Sequence, residues 1–346
     1  MEEGRREPSV WPLPPADRAT LWLRRRLGRA VVLAYLAALL LPGPGLWLRS
    51  AHALPLSTGQ LLLSLVLFSA GFQVPVHELG RMLRRPTALL AGLVLHLAIP
   101  LLVIPVVVFV LRQTPDTDGG SGLVMAMILI VAMPVAAGAT VWTGKDDGGQ
   151  PTMVGLVLAS TLLSPLTVPL VTTTMAPLLS ADYADTLTTT GNTAHGGFAL
   201  VGVVLPCAAG LLCRLALPTA WRSRALRMIM PAALAGSLAL TYVNASGALG
   251  SFLAHPRPLL FGAALVVAAL VCLLSFVLGR VAARLLRLDA PSSSSLTLAC
   301  GMNNSSASAV LITTTLPDKP HLLLPVLAYG LLQKVAASRV VAASRA

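Results

Sequence analysis

Ten apolar segments follow one another along the chain, each bounded by glycine, proline or charged residues. Their lengths are close to the roughly 20 residues that a helix needs to cross the hydrocarbon core of a bilayer. The pattern therefore predicts an all-α polytopic membrane protein with ten transmembrane helices. The predicted spans are residues 30–48, 57–76, 88–111, 121–143, 151–176, 197–216, 228–250, 258–279, 293–316 and 321–338.

The longest connector follows the fifth span and divides the chain into two halves. Because each half has an odd number of spans, the second half enters the membrane in the opposite sense to the first. This predicts two inverted five-helix repeats, an arrangement of many secondary transporters. The predicted units are an N-terminal cytoplasmic segment (1–29), the first repeat (30–176), an external linker (177–196), the second repeat (197–338) and a cytoplasmic tail (339–346).

Two spans carry residues that interrupt helices. The fourth span contains Pro134 and Gly138, and in the ninth span Gly301 precedes the pair Asn303 and Asn304. Proline removes a backbone donor, and glycine lowers the cost of leaving the helical conformation. Broken helices persist in a membrane only where protein or a watery cavity surrounds them. Breaks at matching positions of the two halves predict a binding site near the midplane.

A simpler interpretation of these residues stays open. Pro134 alone is more typical of a kink that neighbouring helices tolerate, and serine or asparagine also form hydrogen bonds between helices. In the ninth span we favour a functional interpretation. The adjacent amides of Asn303 and Asn304 are costly in mid-membrane unless they are paired or used.

Composition and charge support the membrane assignment. Hydrophobic residues make up 55% of the chain and charged residues only 11%, which excludes a water-soluble enzyme. Of the 25 lysines and arginines, 21 lie in the termini and in alternate connectors. By the positive-inside rule, we expect both termini to be cytoplasmic. We expect the membrane to be the plasma membrane. The net charge of +12 is thus explained without a nucleic-acid partner.

The first apolar segment also has the outline of a signal peptide. Basic residues at 24–29 precede it, and Ala51, His52 and Ala53 imitate a cleavage site. A long leader and Arg49 close to this site favour retention of the segment. Cleavage would leave nine spans and an external N-terminus.

The interrupted spans resemble those of a transporter family. CGMNNSSASAVL (300–311) is similar to the ninth-span motif of the bile acid:sodium symporter family, and MPVAAGAT (133–140) with STLLSPLTVPL (160–170) is similar to its fourth and fifth spans. The likeness covers about residues 30–340. It implies a panel of spans one, two, six and seven and a core of the other six, in which two broken helices cross. It further implies that substrate binds between panel and core, which move relative to each other.

The sequence departs from this family where sodium would bind. Members that use sodium carry a glutamate where this chain has Ala299. The family's Ser-Asn pair aligns with Ala139 and Thr140, and two further hydroxyl positions align with Met153 and Val157. The resemblance implies sodium coupling, whereas these replacements remove most of the oxygen ligands. A second sodium site, with backbone carbonyls near Cys300 and Met302 and with Asn303, stays open.

Titratable and catalytic groups are scarce in the predicted spans. All 13 acidic residues lie in termini or connectors. His96 lies deep in the third span and is the candidate for proton coupling, although a neutral histidine bonded to a carbonyl explains it equally well. The four cysteines are not spaced for zinc, and no nucleotide-binding or paired-ligand motif is present. We expect neither an enzyme nor a resident cofactor.

The sequence therefore predicts a secondary active transporter of small organic anions in the lipid bilayer. The anion preference comes from the resemblance. The alternative is a non-transporting sensor or scaffold that retains the transporter fold. The candidate substrate or ion-binding residues are Thr140, Asn303, Asn304, Ser305 and His96, and the candidate helix-breaking residues are Pro134, Gly138 and Gly301.

Overall fold

The computed structural model describes residues 27–50, 52–53, 56–74, 87–111, 120–143, 150–254 and 258–345, which are almost entirely helical. The first half contains α1 (Leu27–Leu40), α2 (Pro42–Ser50), α3 (Thr58–Phe72), α4 (Thr87–Leu111), α5 (Ser121–Val131), α6 (Ala139–Trp142) and α7 (Gln150–Met175). Between α2 and α3, strands β1 (His52–Ala53) and β2 (Leu56–Ser57) form a short antiparallel pair. The predicted N-terminal segment lies almost entirely outside the described residues, and of the imitated cleavage site only His52 and Ala53 are described, as β1.

The second half contains α8 (Ala181–Thr193), a π-helix (Ala194–Val204), α9 (Leu205–Ala216), α10 (Thr219–Ala254), α11 (Pro258–Leu285), α12 (Ala290–Gly301), α13 (Ser305–Thr315) and α14 (Leu323–Arg345). Short 3-10 turns, Ala176–Leu178 and Pro320–Leu322, precede α8 and α14.

Several helices are long and apolar enough to cross a membrane. Among the described residues six meet this criterion singly, and the bent pair formed by α1 and α2 would make a seventh. Helices α3 and α5 are apolar but shorter. The protein is therefore an integral membrane protein with several spans, while the count of ten stays a prediction. The six are Thr87–Leu111, Pro151–Leu178, Gly197–Ala216, Ala220–Gly250, Pro258–Leu285 and Pro320–Ala342.

The first predicted span, 30–48, is not one straight helix. Helices α1 and α2 meet at Leu41 with a bend of 91°. Pro42 causes the bend, because proline has no backbone donor and is accommodated at the first position of a new helix. The Leu41 carbonyl accepts a hydrogen bond from the Tyr242 hydroxyl of α10 at 2.6 Å.

The predicted linker, 177–196, is mostly helical. Its sequence is polar, yet Leu187 is fully buried and Thr190 is nearly so in α8, which packs on α7. A Cβ atom at Gly191 would overlap the Thr172 hydroxyl of α7, so the two helices approach closely. Lys319 lies 4.3 Å from the ring centroid of Tyr183 and connects α8 to the segment after α13.

The segment predicted as the tail, 339–346, is helical over its described residues, 339–345. Helix α14 continues without interruption to Arg345. Lys334 lies inside both the predicted span 321–338 and the candidate span Pro320–Ala342, and the helix continues past both. The reason is local, since the run VAASRVVAASR has no proline or glycine to end a helix.

The helices pack as two groups. One, which we call the panel, consists of α1, α2, α3, α9 and α10, with α10 contacting the first three and α9 lying on α3. The other, the core, consists of α4 to α7 and α11 to α14. Helix α5 lies at its centre, with nearly every residue buried. Helix α10 contacts α13 and α14, so it forms a boundary between the panel and the core.

Helices α3 and α9 of the panel cross at a pair of glycines. A Cβ atom at Gly71 would overlap the backbone carbonyl of Cys207, and one at Gly210 would overlap that of Phe68. Small residues allow such close backbone approach in membrane proteins. Arg214 adds a hydrogen bond from Nη1 to the Phe72 carbonyl at 2.8 Å. These contacts make α3 and α9 one unit.

Candidate functional site: the crossing of two broken helices

Both interruptions predicted from the sequence are present. Helix α5 ends at Val131 and α6 begins at Ala139, and helix α12 ends at Gly301 and α13 begins at Ser305. In the second break the backbone leaves the helical conformation, with φ −111° and ψ 83° at Met302. The first break spans seven residues and the second only three.

The two breaks lie against each other and exchange hydrogen bonds. Val135 and Asn303 form an antiparallel bridge, as the resemblance implies for two crossing broken helices. Peptide groups that lose their helical partners are expensive inside a membrane protein unless other groups replace those partners. Here each break supplies a partner to the other. The bonds run from the Ala136 N–H to the Met302 carbonyl (2.8 Å) and from the Asn304 N–H to the Pro134 carbonyl (2.9 Å).

A side chain of α7 completes the first break. Val135 donates its N–H to Ser160 Oγ at 3.1 Å, and that hydroxyl donates to the Val157 carbonyl at 3.2 Å. Pro134 needs no donor partner, because proline has no N–H. Gly138 has ordinary helical dihedrals, and a Cβ atom there would have nothing within 4 Å. The structure therefore gives no conformational or steric need for glycine at position 138.

The second break is shaped by its own residues. A Cβ atom at Gly301 would overlap the ring of Phe276, so only glycine fits without movement of α11. Asn304 is the N-cap of α13, and its Oδ1 accepts the Ala307 N–H at 3.1 Å. Such a cap satisfies one of the free N–H groups of the first helical turn.

Asn303 and Tyr329 form a buried polar pair behind this break. Asn303 donates from Nδ2 to the Tyr329 hydroxyl at 3.0 Å, and that hydroxyl donates to the Gly301 carbonyl at 3.0 Å. Asn303 is 1% exposed and Tyr329 fully buried. The amide of Asn303 therefore fixes the backbone of the crossing rather than facing open space.

Two serines of α13 connect the crossing to neighbouring helices. Ser308 donates to the Leu129 carbonyl in the last turn of α5 at 3.0 Å. Ser305 Oγ accepts from Gln333 Nε2 of α14 at 3.1 Å. The oxygen of the same amide, Gln333 Oε1, is buried and has no partner within the described part of the chain.

The remaining predicted residues differ in position. Thr140 lies in α6 beside the first break, and its hydroxyl donates to the Ala137 carbonyl at 2.9 Å. His96 is buried in α4, and its Nε2 has no partner among the residues that the structure describes. No hydrogen bond within that set joins His96 to the crossing. The structure thus brings together Thr140, Asn303, Asn304 and Ser305.

Sequence reasoning missed three residues of this network. Ser160 stood at the start of a quoted motif without an assigned role, and Tyr329 and Gln333 received none. Tyr329 and Gln333 are four residues apart and therefore lie on one face of α14. Polar side chains with helical spacing in an otherwise apolar span were the signal that could have identified them.

A small cavity lies at the boundary of panel and core, next to the second break. Its volume is about 20 Å³, enough for one water-sized molecule. It connects Ser305 of the crossing with α1 and α10 of the panel. Its polar lining residues are Tyr35, Thr241, Asn244, Ser305, Ser306 and Lys334.

The residues at the crossing supply few of the oxygen ligands that a sodium ion prefers. Ala299, Met153 and Val157, where the resemblance expects oxygen ligands, are buried apolar side chains, each at most 3% exposed. The carbonyls of Gly301 and Met302 already accept hydrogen bonds. The acidic residues that the structure describes lie outside the candidate spans, at Asp182, Asp185, Asp289 and Asp318. Among the described residues the crossing therefore offers a cation no carboxylate, and two of its carbonyls are each already engaged in one hydrogen bond.

Comparison with known proteins identifies the family. The model of the sodium bile acid symporter family matches residues 60–255, more than half of the 346-residue chain. The match extends from α3 through α10 and includes the first break. No curated protein matches the chain. The chain therefore belongs to the sodium bile acid symporter family.

Proposed function

We propose that this protein is a secondary transporter of small organic anions that works by alternating access. Members of its family are transporters and not enzymes. The observation that carries the proposal is the antiparallel contact of the two breaks at Val135 and Asn303. We further propose ten spans in two inverted repeats, a plasma-membrane location and cytoplasmic termini, as the distribution of basic residues predicts.

The depth of the crossing supports a site near the membrane centre. Helices α5 and α13 have 11 residues each and α12 has 12. At about 1.5 Å per residue each extends roughly 16–18 Å, about half of the ~30 Å hydrocarbon thickness. These lengths support a position of the crossing near mid-depth, where substrate sites of secondary transporters commonly lie.

The orientation of α13 supports an anionic substrate. Its N-terminal end, at Ser305 and Ser306, lines the cavity at the boundary of panel and core. The N-terminal end of a helix carries partial positive charge and attracts anions. Separation of panel from core would enlarge this cavity, first on one side of the membrane and then on the other.

We propose that sodium is not the coupling ion, because the crossing lacks the oxygen ligands described above. Coupling to protons through His96, or transport without any coupling ion, are the two remaining mechanisms. His96 lies in α4 of the core and is buried, so proton exchange would require an opening of the core.

Uptake by proteoliposomes tests the function. The purified protein is reconstituted, and radiolabelled cholate, taurocholate and pyruvate are added with a sodium gradient, a proton gradient or neither, with protein-free liposomes as control. We expect uptake that does not require sodium. Stabilisation by one of these anions without uptake would support the sensor or scaffold alternative. Uptake that requires sodium would contradict the proposed coupling.

A pair of substitutions at Asn304 tests the site. Asn304→Ser retains a side chain that caps α13, whereas Asn304→Ala removes the cap. If the amide contacts substrate, both variants should lose uptake while Asn304→Ser keeps the wild-type melting temperature. Normal uptake by both would remove Asn304 from the binding site. Asn303→Ala is expected to lose uptake as well, because Tyr329 then loses its partner.

A further inference from the structure

Lys334 is the one basic residue that lines the cavity between panel and core. The candidate span that contains it ends at Ala342, eight residues later. At about 1.5 Å per residue, Lys334 lies roughly 12 Å inside the end of that span. A cationic group at this depth is costly, and such groups are usually paired or take part in function.

The described part of the chain provides no anionic partner for Lys334. No hydrogen bond or ion pair of its ammonium group exists within that part, and none of the residues lining the cavity is acidic. The described carboxylates lie outside the candidate spans. Lys334 is partly buried, and a partly buried charge without a partner is unfavourable unless a ligand or solvent compensates it. The geometry therefore leaves room for an anion beside Lys334.

Two further side chains of the cavity are free to donate hydrogen bonds. Asn244 of α10 is 4% exposed, and neither it nor Ser306 of α13 forms a side-chain hydrogen bond with another described residue. Other cavity residues are already engaged: Tyr35 donates to the Leu327 carbonyl at 3.1 Å and Thr241 to the Ser237 carbonyl at 2.8 Å. The free donors come from the panel and from the core.

We propose that Lys334 binds the negatively charged oxygens of the transported anion, with Asn244 and Ser306 as additional donors. This inference rests on the proposed transport function and names the chemistry of its substrate, a carboxylate or another oxyanion. The ammonium group of Lys334 then provides the positive charge at the binding site, so that no bound cation is needed to compensate the anion. A cavity of about 20 Å³ admits a water-sized molecule, so the panel must separate from the core before an organic anion can enter.

The net charge moved in each transport event allows this inference to be tested in the wild-type protein. Lys334 stays in the membrane, so one anion that crosses without a cation carries one negative charge inward. An inside-positive potential should therefore increase uptake, since moving a unit charge across 100 mV is worth about 2.3 kcal/mol. In contrast, cotransport of one sodium with one monovalent anion moves no net charge.

The experiment uses the full chain in proteoliposomes, with cholate as a carboxylate probe, taurocholate as a sulfonate probe, pyruvate as a small carboxylate, and potassium diffusion potentials. Lys334→Met removes the charge and Lys334→Arg retains it. Arg339→Gln is the matched control, since Arg339 is an exposed cation of the same helix and does not line the cavity. Melting temperatures without substrate show whether each variant folds.

We expect Lys334→Met to lower uptake efficiency by about tenfold or more for every probe that the wild type transports, as loss of a charge-assisted hydrogen bond predicts. Lys334→Arg should retain part of the uptake, and Arg339→Gln should match the wild type. If Lys334→Met does not fold, Ser306→Ala should raise KM and leave kcat unchanged.

Three results would overturn the inference. Wild-type uptake by Lys334→Met would show that Lys334 only extends its ammonium towards the membrane surface, while the transport function would stand. Uptake by the wild type that responds neither to membrane potential nor to a proton gradient would contradict the charge balance, and an unchanged KM in Ser306→Ala would contradict the donor set. No uptake of any probe by the wild type would contradict the proposed function itself.

Discussion

The two breaks at the crossing both satisfy their free backbone groups, but with different hydrogen-bond partners. The first is seven residues long, contains Pro134, and depends on other segments for its hydrogen bonds, from Ser160 and from the second break. The second is three residues long and carries its own amides, one of which caps α13 while the other is fixed by Tyr329. Both satisfy the freed backbone groups that a low-dielectric environment penalises.

This difference shows that polarity does not by itself identify a helix break in a membrane protein. A proline-containing, apolar break is stable when a serine on the next helix and a neighbouring backbone replace the lost partners. In a polar break, some of the polar side chains form hydrogen bonds that stabilise the break itself. Asn303 and Asn304 would both be assigned to substrate binding from sequence, yet each first serves the backbone, and Ser305 borders the cavity.

The largest effect is expected where the two breaks differ most in packing, at their glycines. Gly301→Ala places a methyl group against the Phe276 ring and should destabilise the protein by up to about 3 kcal/mol. Gly138→Ala meets open space and should change stability by less than about 0.5 kcal/mol. Thermal unfolding in detergent measures both. Equal losses would contradict the different roles of these glycines.

Removing the hydroxyl of Tyr329 should have the next largest effect. Tyr329→Phe leaves the Asn303 amide and the Gly301 carbonyl without their buried partner, at a cost of about 2 kcal/mol. The control is Tyr242→Phe, which loses a single bond to the Leu41 carbonyl in the panel. We expect the lower melting temperature in Tyr329→Phe. The reverse order would show that the polar pair does not support the second break.

The first break should depend on Ser160 to a similar or smaller degree. Ser160→Ala removes the acceptor of the Val135 N–H and should cost about 1–2 kcal/mol. Ser164→Ala is the matched control on the same helix, because that buried hydroxyl bonds only to the Thr161 carbonyl one turn earlier. Hydrogen exchange at Val135 reports the change directly. Unaltered exchange would mean that Ser160 does not satisfy this break.

The smallest effect is expected at the cap of α13. Asn304→Ala should lower stability by about 1 kcal/mol, and Asn304→Ser by only a few tenths, because serine also caps helices. Denaturant titration compares the two variants. A serine variant as unstable as the alanine variant would show that the amide stabilises the break by another contact.

Much of the fold could be predicted from the pattern of residues. The positions of both breaks follow from Pro134 and from the Gly301 region, since the conformational restrictions of proline and glycine act locally. The bend after Leu41 has a local cause as well, in Pro42, although hydropathy alone merged the two helices. The proline that causes the bend is visible in the sequence, but hydrophobicity averaged over a window does not show its effect.

Other features depended on distant contacts and could not be predicted. Helix α8 has a polar sequence, and its burial on α7 comes from packing rather than from its own hydrophobicity. The position of Lys334 beside Asn244 and Ser306 depends on the packing of α14 against α10 and α13. Ser160 and Tyr329 lie 25 and 26 residues from their partners in the breaks, so no short motif connects them.

By itself, the sequence determined that the protein is a membrane protein, where its helices break, and that its carboxylates lie outside the predicted spans. These properties follow from composition and from the covalent limits of single residues. Only the tertiary structure decided which polar groups satisfy each other and which stay free. Because hydrogen bonds act over about 3 Å, the packing of helices distant in sequence engages Asn303 with Tyr329 and leaves Asn244, Ser306 and Lys334 around one cavity.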